Sequence, residues 1–366
     1  MASEELGIGI IGVQPGRSWA AVAHIPALQA LPGFRLAALS TTRMESARAA
    51  GEAYGVANCY ANHADLVADP SVDIVVVTVK VPHHRELVLA ALDAGKHVYC
   101  EWPLGNGLAD AEAIAARART SGVRCMVGLQ ASFSPQIRQV RQLVADGYVG
   151  RVLSTTLVGS GLVWGPMIDQ ANAYTMDRAN GATMLTIPMG HSLDAVCSCL
   201  GEIAQVSATL AVQQPDFLNV ETGQHGIKTS PDQVAFSGEL ASGGTISCHY
   251  RAGASRGTNL LWEINGTEGD LVVTSVGGHM QMLDLAVSGG RGDDQFVAPL
   301  ALPDGLRTAP AGLEGPALNV AQAWQCFAED IRTGTRTCPD FDHAVQRHRM
   351  VDAIERSAAA GTRETV

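Results

Sequence analysis

The sequence contains no run of lysine or arginine, and its 25 basic residues are outnumbered by 36 acidic ones, for a formal net charge of −11. A surface of that sign repels phosphate backbones, so no nucleic-acid partner is expected. The apolar runs, such as 74–79, are far too short to span a bilayer, so no membrane partner is expected either. The N-terminal segment 1–13 carries glutamates instead of a basic stretch and does not resemble a signal peptide.

Cysteines are few and scattered, eight in 366 residues. The one close pair, Cys197 and Cys199, has a spacing that suits neither a zinc knuckle nor a redox CxxC motif, and no metal site is predicted. A disulfide framework is not expected at this length, so we interpret the thiols as reduced and the protein as cytoplasmic. With 46% hydrophobic residues and 39 glycines, the composition is that of one large or two ordinary globular domains.

The first third of the chain alternates short apolar runs with helical patterns. Strands are expected at 6–13, 34–39, 73–78, 97–100 and 124–129, and helices at 19–31, 45–54, 85–94 and 109–120. Alternation at this spacing implies right-handed crossovers and a doubly wound parallel sheet. The sequence therefore predicts an α/β, Rossmann-type dinucleotide-binding domain over 1–130.

The pattern changes from about residue 154. Strands are expected at 152–159, 205–212, 234–240, 244–250, 260–265 and 270–274, and helices return at 319–332 and 344–359. Turns at 241–244 and 266–269 indicate antiparallel hairpins. We predict an α+β substrate and oligomerisation domain over 131–366 with a large, mainly antiparallel sheet, its C-terminal helices able to pack on the first domain. The polar stretch 213–230 is expected to be a long loop, either mobile or covering a site.

The turn after the first strand, 12–19, is the first candidate site. A strand, a glycine-bearing turn and a helix together present backbone N–H groups to a pyrophosphate. The strict GxGxxG pattern is absent, because Gln14 stands where the second glycine would be. The segment from Gly12 to Trp19 is therefore either a phosphate site or a plain connection.

The end of the second strand bears on the choice of cofactor. It continues as Ser-Thr-Thr-Arg from Ser40 to Arg43, without a carboxylate for the ribose hydroxyls. Hydroxyls beside a guanidinium suit a 2′-phosphate, which favours NADP over NAD, although NAD stays possible. The alternative is that Arg43 merely begins a solvated helix.

Five segments of the chain carry a family resemblance. They are HIPAL at 24–28, GKHVYCEWPL at 95–104, GYVGR at 147–151, GHSLD at 190–194 and GTEGD at 266–270. Together they resemble the Gfo/Idh/MocA oxidoreductases over nearly the whole chain. Trp19 and the Glu101-Trp102-Pro103 triplet look most like the branch of the fungal galactose-pathway repressor, which keeps the fold and binds a dinucleotide but acts as a regulator. The resemblance implies a homodimer or homotetramer formed through the C-terminal sheet.

The resemblance also places the family's acid–base groups on this chain. The family lysine matches Trp102, its aspartate matches Ile187, its histidine matches His191, and the acid after it matches Asp194. Because an indole does not titrate usefully, His191 is the predicted remaining acid or base. The alternative is that His191 has only a structural role. Asp194 either orients His191 from one helical turn away or pairs with a surface base.

Lys80 follows the central strand, where ligands of such sheets bind, and is the candidate replacement ammonium; otherwise it is a solvated side chain. The predicted cofactor-binding residues are Gly12, Gln14, Trp19, Ser40, Arg43, Thr78, Lys80, His84, Glu101, Trp102, Pro103 and Gln130. The predicted substrate-binding residues are Trp102, Trp164, Tyr174, Asp177 and Asp194, with core packing as the alternative for the aromatic ones.

Two functions fit these residues. One is an NAD(P)-dependent oxidoreductase with an atypical site that acts on a sugar-derived or other small carbonyl or hydroxyl substrate. The other is a catalytically inactive, dinucleotide-binding regulator or sensor. The retained histidine favours the first function, and the loss of the lysine and the aspartate favours the second.

Overall fold

The computed structural model describes residues 5–366. Residues 1–4, where the predicted first domain and the segment judged unlike a signal peptide both begin, lie outside the described part. Two compact units are present. The first contains the described residues up to Gln130 together with Thr308–Gln346, and the second contains Ala131–Arg307 together with Arg347–Val366.

Across residues 5–366, every helix is too short or too polar to cross a membrane.

The first unit is built on a six-stranded parallel sheet. Its strands are β1 (Leu6–Ile11), β2 (Phe34–Ser40), β3 (Asn58–Tyr60), β4 (Ile74–Val77), β5 (His97–Glu101) and β6 (Cys125–Gly128). They lie in the order β3-β2-β1-β4-β5-β6, with every pairing parallel. The predicted doubly wound sheet is confirmed. The sequence reading missed β3, a three-residue edge strand with little apolar character.

Nine α-helices lie in the described residues. They are α1 (Ile25–Ala30), α2 (Met44–Tyr54), α3 (His63–Ala68), α4 (His84–Asp93), α5 (Leu108–Ser121), α6 (Pro135–Ala145), α7 (Gly190–Leu200), α8 (Gly315–Thr333) and α9 (Phe341–Ala360). Local chemistry sets several of their ends. The Asn62 side chain accepts a hydrogen bond from the Asp65 N–H at the start of α3, and Gly55 ends α2 in the left-handed conformation.

The second unit is built on a nine-stranded sheet. Its strands are β7 (Val152–Gly161), β9 (Ile203–Ala211), β12 (Gln233–Leu240), β13 (Thr245–Ala252), β14 (Leu260–Gly266), β15 (Gly269–Ser275), β16 (Ala286–Arg291), β17 (Ala298–Pro299) and β18 (Glu364–Thr365). Only β7 and β13 pair in parallel, so the predicted mainly antiparallel sheet is confirmed. Both predicted hairpins are present.

The stretch 213–230, predicted as a long loop, is instead a small structured element. It contains β10 (Asp216–Asn219) and β11 (His225–Ile227), which pair as a hairpin and extend with β8 (Met167–Ile168) into a three-stranded sheet. The side chain of Lys228 is fully buried and pairs with Asp232 at 3.0 Å. A buried ion pair of this kind can anchor a polar segment. The segment 213–230 has no apolar alternation, so hydrophobic periodicity did not predict its strands.

Candidate functional site

The strand order of the first unit places a switch point between β1 and β4. In open α/β sheets, ligands bind beyond the carboxyl ends of the strands at such a point. Gly12 follows β1 there with φ +99°, and a Cβ atom on it would lie 2.6 Å from Val79 Cγ1. The Thr78 hydroxyl donates to the carbonyl oxygens of Ile11 and Gly12 at 3.0 and 3.2 Å. Only glycine lets the chain leave β1 this close to the end of β4.

The turn after Gly12 is closed by one serine. The Gln14 N–H donates to Ser18 Oγ at 2.9 Å, and the Ser18 hydroxyl donates to the Gln14 carbonyl at 3.0 Å. The Gln14 side chain is exposed, whereas the indole Nε1 of Trp19 is buried and has no hydrogen-bond partner among residues 5–366. A glycine-lined turn with an unsatisfied indole N–H fits a phosphate-bearing ligand, so these residues are compatible with a dinucleotide.

At the end of β2, Ser40 is buried and Arg43 is exposed. The Thr41 hydroxyl lies 2.8 Å from the Arg43 carbonyl oxygen and 2.7 Å from Ser46 Oγ, which holds the chain where α2 begins. Arg43 therefore stands immediately before the helix, with its side chain toward solvent. This placement is compatible with both interpretations of Arg43.

A buried hydrogen-bonded network lies behind the switch point. Trp324 Nε1 donates to His24 Nδ1 at 3.1 Å, so the neutral ring carries its proton on Nε2 and donates it to Glu101 at 2.7 Å. Gln130 Nε2 donates to the same carboxylate at 2.7 and 2.8 Å. A Cβ atom on Gly128 would lie 2.7 Å from both Gln130 and Glu101. The network therefore fixes Glu101 at the end of β5.

Neither His24 nor Trp324 was predicted as a site residue. The signal for His24 was its place in the segment HIPAL. Trp324 lies 300 residues further along the chain, on α8, and the sequence carries no signal that joins the two. Their role is to position Glu101.

His84 ties the end of β4 to the segment after β5. Its ring nitrogens lie 2.8 Å from the Pro103 carbonyl oxygen and 2.9 Å from that of Val79. Burial lowers the pKa of His84. Both ring nitrogens face backbone carbonyl oxygens and the neutral ring can donate to one of them, so His84 shapes this edge of the sheet. Trp102, the residue before Pro103, is buried, and Lys80 is exposed after β4.

In the second unit, His191 is the second residue of α7 and follows a π-helical turn at Leu185–Met189. Such turns are frequent at functional sites. The His191 side chain is buried, and its Nδ1 has no hydrogen-bond partner among the described residues. Burial lowers the pKa of His191 to about 3; the charge of Asp194 opposes this shift and His279 adds to it. The ring is therefore neutral at pH 7.

Asp194 lies buried on the same helix. One carboxylate oxygen accepts a hydrogen bond from the Ser132 hydroxyl at 2.5 Å, and the other lies 3.7 Å from Arg347 Nε. Arg347 is itself fully buried and also pairs with Glu202. The base that pairs with Asp194 is thus buried, and not at the surface as the alternative reading had it. Asp194 acts on His191 through its charge.

The other predicted substrate residues differ in their surroundings. Trp164 is buried, donates from Nε1 to the Ala182 carbonyl at 3.1 Å, and has φ +63°, a left-handed conformation that is uncommon for a bulky residue. Tyr174 is half-buried, and burial raises its pKa. Asp177 is exposed and accepts hydrogen bonds from the Ala179 N–H and the Thr229 hydroxyl, both at 3.0 Å. Asp177 therefore caps a local turn.

One cluster in the first unit resembles a metal site by distance. The ligand atoms of Cys326, Asp330 and Cys338 lie within 4.8 Å of one another. The Asp330 carboxylate, however, accepts hydrogen bonds from the N–H groups of Thr337 and Cys338 and from the Thr335 hydroxyl. We interpret the carboxylate as the cap of this turn and assign it no metal.

The fold, the residues at the switch point of the first unit and the residues around His191 in the second unit define a class of protein. It has a Rossmann-fold dinucleotide-binding unit followed by an α+β unit with a large sheet. Two family descriptions match the chain in that order, "Oxidoreductase family, NAD-binding Rossmann fold" over residues 6–129 and "Gal80p, C-terminal domain" over residues 135–275. The chain belongs to the Gfo/Idh/MocA oxidoreductase family, near its Gal80-like branch, as the sequence motifs predicted.

Three relatives illustrate the range of that family. The chain is 33% identical to the dehydrogenase aclE of Aspergillus oryzae, over 98% of each chain. It is 27% identical to the galactose/lactose metabolism regulatory protein GAL80 of Saccharomyces cerevisiae, over 78% of this chain and 71% of GAL80. The solved structure of a super-repressor mutant of that Gal80p has a TM-score of 0.89 at 22% identity, over 99% of this chain and 98% of the other.

The third relative is the levoglucosan dehydrogenase of Pseudarthrobacter phenanthrenivorans, 25% identical over 97% of each chain. A solved structure of levoglucosan dehydrogenase in complex with NADH and L-sorbose has a TM-score of 0.86 at 22% identity, over 99% of each chain. The chain is thus similar both to sugar dehydrogenases and to a regulatory protein.

Proposed function

We propose that this protein is a nicotinamide-dinucleotide-dependent oxidoreductase that acts on a sugar-derived or other small carbonyl or hydroxyl compound. The observation that carries the proposal is His191, a buried, neutral imidazole at the start of α7 whose Nδ1 has no hydrogen-bond partner among residues 5–366. The similarity to a dehydrogenase over 98% of both chains supports it. We also propose that 1–130 forms the cofactor domain and 131–366 the substrate domain.

The residues proposed to hold the dinucleotide are those of the first unit. Gly12 and the turn to Trp19 would take the pyrophosphate, and Thr78 and the Glu101 segment would border the nicotinamide half. A dinucleotide held there would supply or accept the hydride. Trp102 closes this edge with an apolar face and takes no part in proton transfer, because an indole N–H is a donor only.

His191 is proposed to handle the proton of the substrate hydroxyl. In its neutral form the ring can accept that proton as a hydroxyl is oxidised, and the nearby charge of Asp194 stabilises the resulting imidazolium. Burial opposes that charge, so proton transfer is slower than with a group whose pKa lies near 7. Lys80, at the carboxyl end of β4, is the proposed replacement for the ammonium group of the family lysine.

The alternative function is a dinucleotide-binding regulator without turnover. It is favoured by the replacement of the family lysine by Trp102 and of the aspartate by Ile187, and by the likeness to GAL80. Such a protein would keep the cofactor site and lack an acid–base pair.

The exposed guanidinium of Arg43 leads us to propose NADP as the preferred cofactor. Arg43→Ala should weaken NADPH binding by about tenfold or more, since a charge-assisted pair with the 2′-phosphate is lost, and leave NADH binding within about twofold. The measurement is a fluorescence titration of the wild type and the variant with each reduced cofactor. Equal losses for both cofactors would show that Arg43 only supports the helix.

The function itself is tested by a screen of aldoses, polyols and ketones with the cofactor that binds tightly. A change in the absorbance of the reduced nicotinamide, at a rate proportional to protein concentration, would establish the oxidoreductase activity. Tight cofactor binding without turnover across the panel would instead support the regulator.

We further propose a cytoplasmic protein that forms a homodimer or homotetramer. The eight cysteines, all of which lie within residues 5–366, are free thiols, which are compatible with a reducing compartment. On β13, residues Thr245, Ser247 and His249 alternate with buried ones and leave one sheet face exposed. Sedimentation velocity should show a dimer or larger species at micromolar concentration, and a monomer would contradict the oligomer.

A further inference from the structure

A second histidine of the second unit, His279, has two buried ring nitrogens without hydrogen-bond partners among residues 5–366, whereas His191 has one. His279 lies between β15 and β16 and is buried, with 6% of its surface exposed. Neither ring nitrogen has a hydrogen-bond partner among residues 5–366. Because buried polar groups in proteins are almost always hydrogen-bonded, an imidazole with two unsatisfied nitrogens requires an explanation.

His279 belongs to a group of such side chains. His191 Nδ1 is buried without a partner among the described residues, and so is the hydroxyl of Ser160 on β7. His279 lies close enough to His191 to lower the pKa of His191. Three unsatisfied polar side chains in one region of the fold indicate a place that receives a polar ligand.

The backbone around the two histidines is firmly held. The hydroxyl of the buried Tyr250 lies 2.6 Å from Ser192 Oγ and 3.0 Å from the Gly278 carbonyl oxygen. Tyr250 therefore links the residue after His191 to the residue before His279. A Cβ atom on Gly278 would lie 2.6 Å from the Ser160 backbone, so this close approach requires glycine.

One face of the His279 ring is covered by an aromatic side chain. The Trp164 indole stacks on it, with centroids 6.1 Å apart and planes at 20°. Trp164 is held in its left-handed conformation by a hydrogen bond from the buried Lys228 ammonium to its carbonyl oxygen, at 2.9 Å. The edge of the ring, which carries the nitrogens, is thus left to bind a partner.

The protonation state selects the ligand. Burial lowers the pKa of His279 to about 4, as it lowers that of His191 to about 3, so both rings are neutral at pH 7. A neutral imidazole offers one donor and one acceptor. A hydroxyl group also donates and accepts, whereas a carboxylate or phosphate only accepts and would leave the acceptor nitrogen of each neutral ring without a donor. Two neutral imidazoles therefore match a compound with two hydroxyl groups.

We propose that His279 and His191 form a two-imidazole site that binds two hydroxyl groups of one polyol or sugar substrate. The proposal rests on the proposed function and specifies its substrate class. His279 is a substrate-binding residue in this site, and Trp164 positions its ring.

The experiment is an NMR titration of protein with ¹³C-labelled histidine rings, saturated with its preferred cofactor. Probes are individual five- and six-carbon aldoses and polyols. Variants His191→Asn and His279→Gln assign the two signals among eleven histidines. We expect at least one probe to shift both signals. His279→Leu should weaken its binding about tenfold, while His279→Gln, which keeps a donor and an acceptor, stays within about threefold.

The exposed His225 on β11 provides the matched control, and His225→Leu should leave sugar binding unchanged. Three results would each overturn the two-imidazole site. They are a probe that shifts the His191 signal but not the His279 signal, a panel in which no probe shifts either signal, and unchanged sugar binding by His279→Leu. The proposed function fails separately. If both signals shift and no probe is turned over, the site stands and the oxidoreductase does not. If turnover occurs while His279 is unmoved, the oxidoreductase stands and the site does not.

Discussion

His191→Asn should reduce turnover of any substrate found in the screen by about 10²–10⁴, the usual contribution of a positioned acid–base group. Asparagine keeps a polar side chain of similar size and cannot take up a proton. Cofactor affinity should stay within about twofold, because every residue proposed to hold the dinucleotide lies in the first unit. The measurement is kcat and KM, together with the cofactor Kd from fluorescence titration.

The pH dependence of the same reaction distinguishes His191 from a lysine. Because the pKa of His191 is about 3, the ring is already neutral at pH 5 and loses no further proton up to pH 8. The rate should therefore show no inflection from His191 in that interval, whereas an active-site lysine with a pKa of 7–8 would produce one. An inflection that disappears in Lys80→Met would transfer the proton-handling role to Lys80. Unchanged turnover by His191→Asn would remove His191 from the mechanism.

Arg347→Met should lower the free energy of unfolding by about 3–5 kcal/mol, the usual cost of removing one partner from a buried ion pair. The guanidinium is fully buried, 3.7 Å from Asp194, which is 1% exposed. Burial by itself would lower the pKa of Arg347, but the neighbouring Cys197, Asp194 and Glu202 raise it above its ordinary value. Without Arg347, the buried Asp194 charge loses this neighbouring cation.

Urea denaturation of the wild type and the variant measures this effect. Arg349→Met is the control, since Arg349 lies two residues further along α9 with an exposed side chain, and should change stability by less than about 0.5 kcal/mol. Replacing Asp194 by asparagine in the Arg347→Met background should restore part of the loss, because the unpaired charge is removed. A loss below 1 kcal/mol in Arg347→Met would show that Asp194 is compensated elsewhere.

Strong apolar periodicity made much of the fold predictable. β1, β2, β4, β5 and β6 were each placed within a few residues, because buried parallel strands are continuous apolar runs between helices with a 3.6-residue period. The hairpins β12–β13 and β14–β15 were predicted from glycine-rich turns. Among the strands that were not predicted, β3, β10 and β11 are three or four residues long and mostly half-buried or exposed, so their pairing depends on neighbours and not on their own composition.

The candidate site likewise contains residues that the sequence predicted and a pairing that it did not. Gly12 was predicted from the sequence because a strand–turn–helix connection places a glycine where a ligand approaches the backbone, and His191 was recognised from its motif. The pairing of His191 with His279 was not predictable. The two residues are 88 positions apart, and His279 stands in a segment without strand or helix periodicity.

The sequence by itself determined the family, the doubly wound sheet and the mainly antiparallel second sheet, since each depends on local residue type and spacing. Tertiary structure alone decided which groups are buried together. It joined Trp324 to His24 and Glu101, and it placed Arg347 against Asp194. It also left His191 Nδ1 and both ring nitrogens of His279 without hydrogen-bond partners among residues 5–366. The physical reason is that burial and charge pairing depend on every segment that packs around a group, and these segments come from distant parts of the chain.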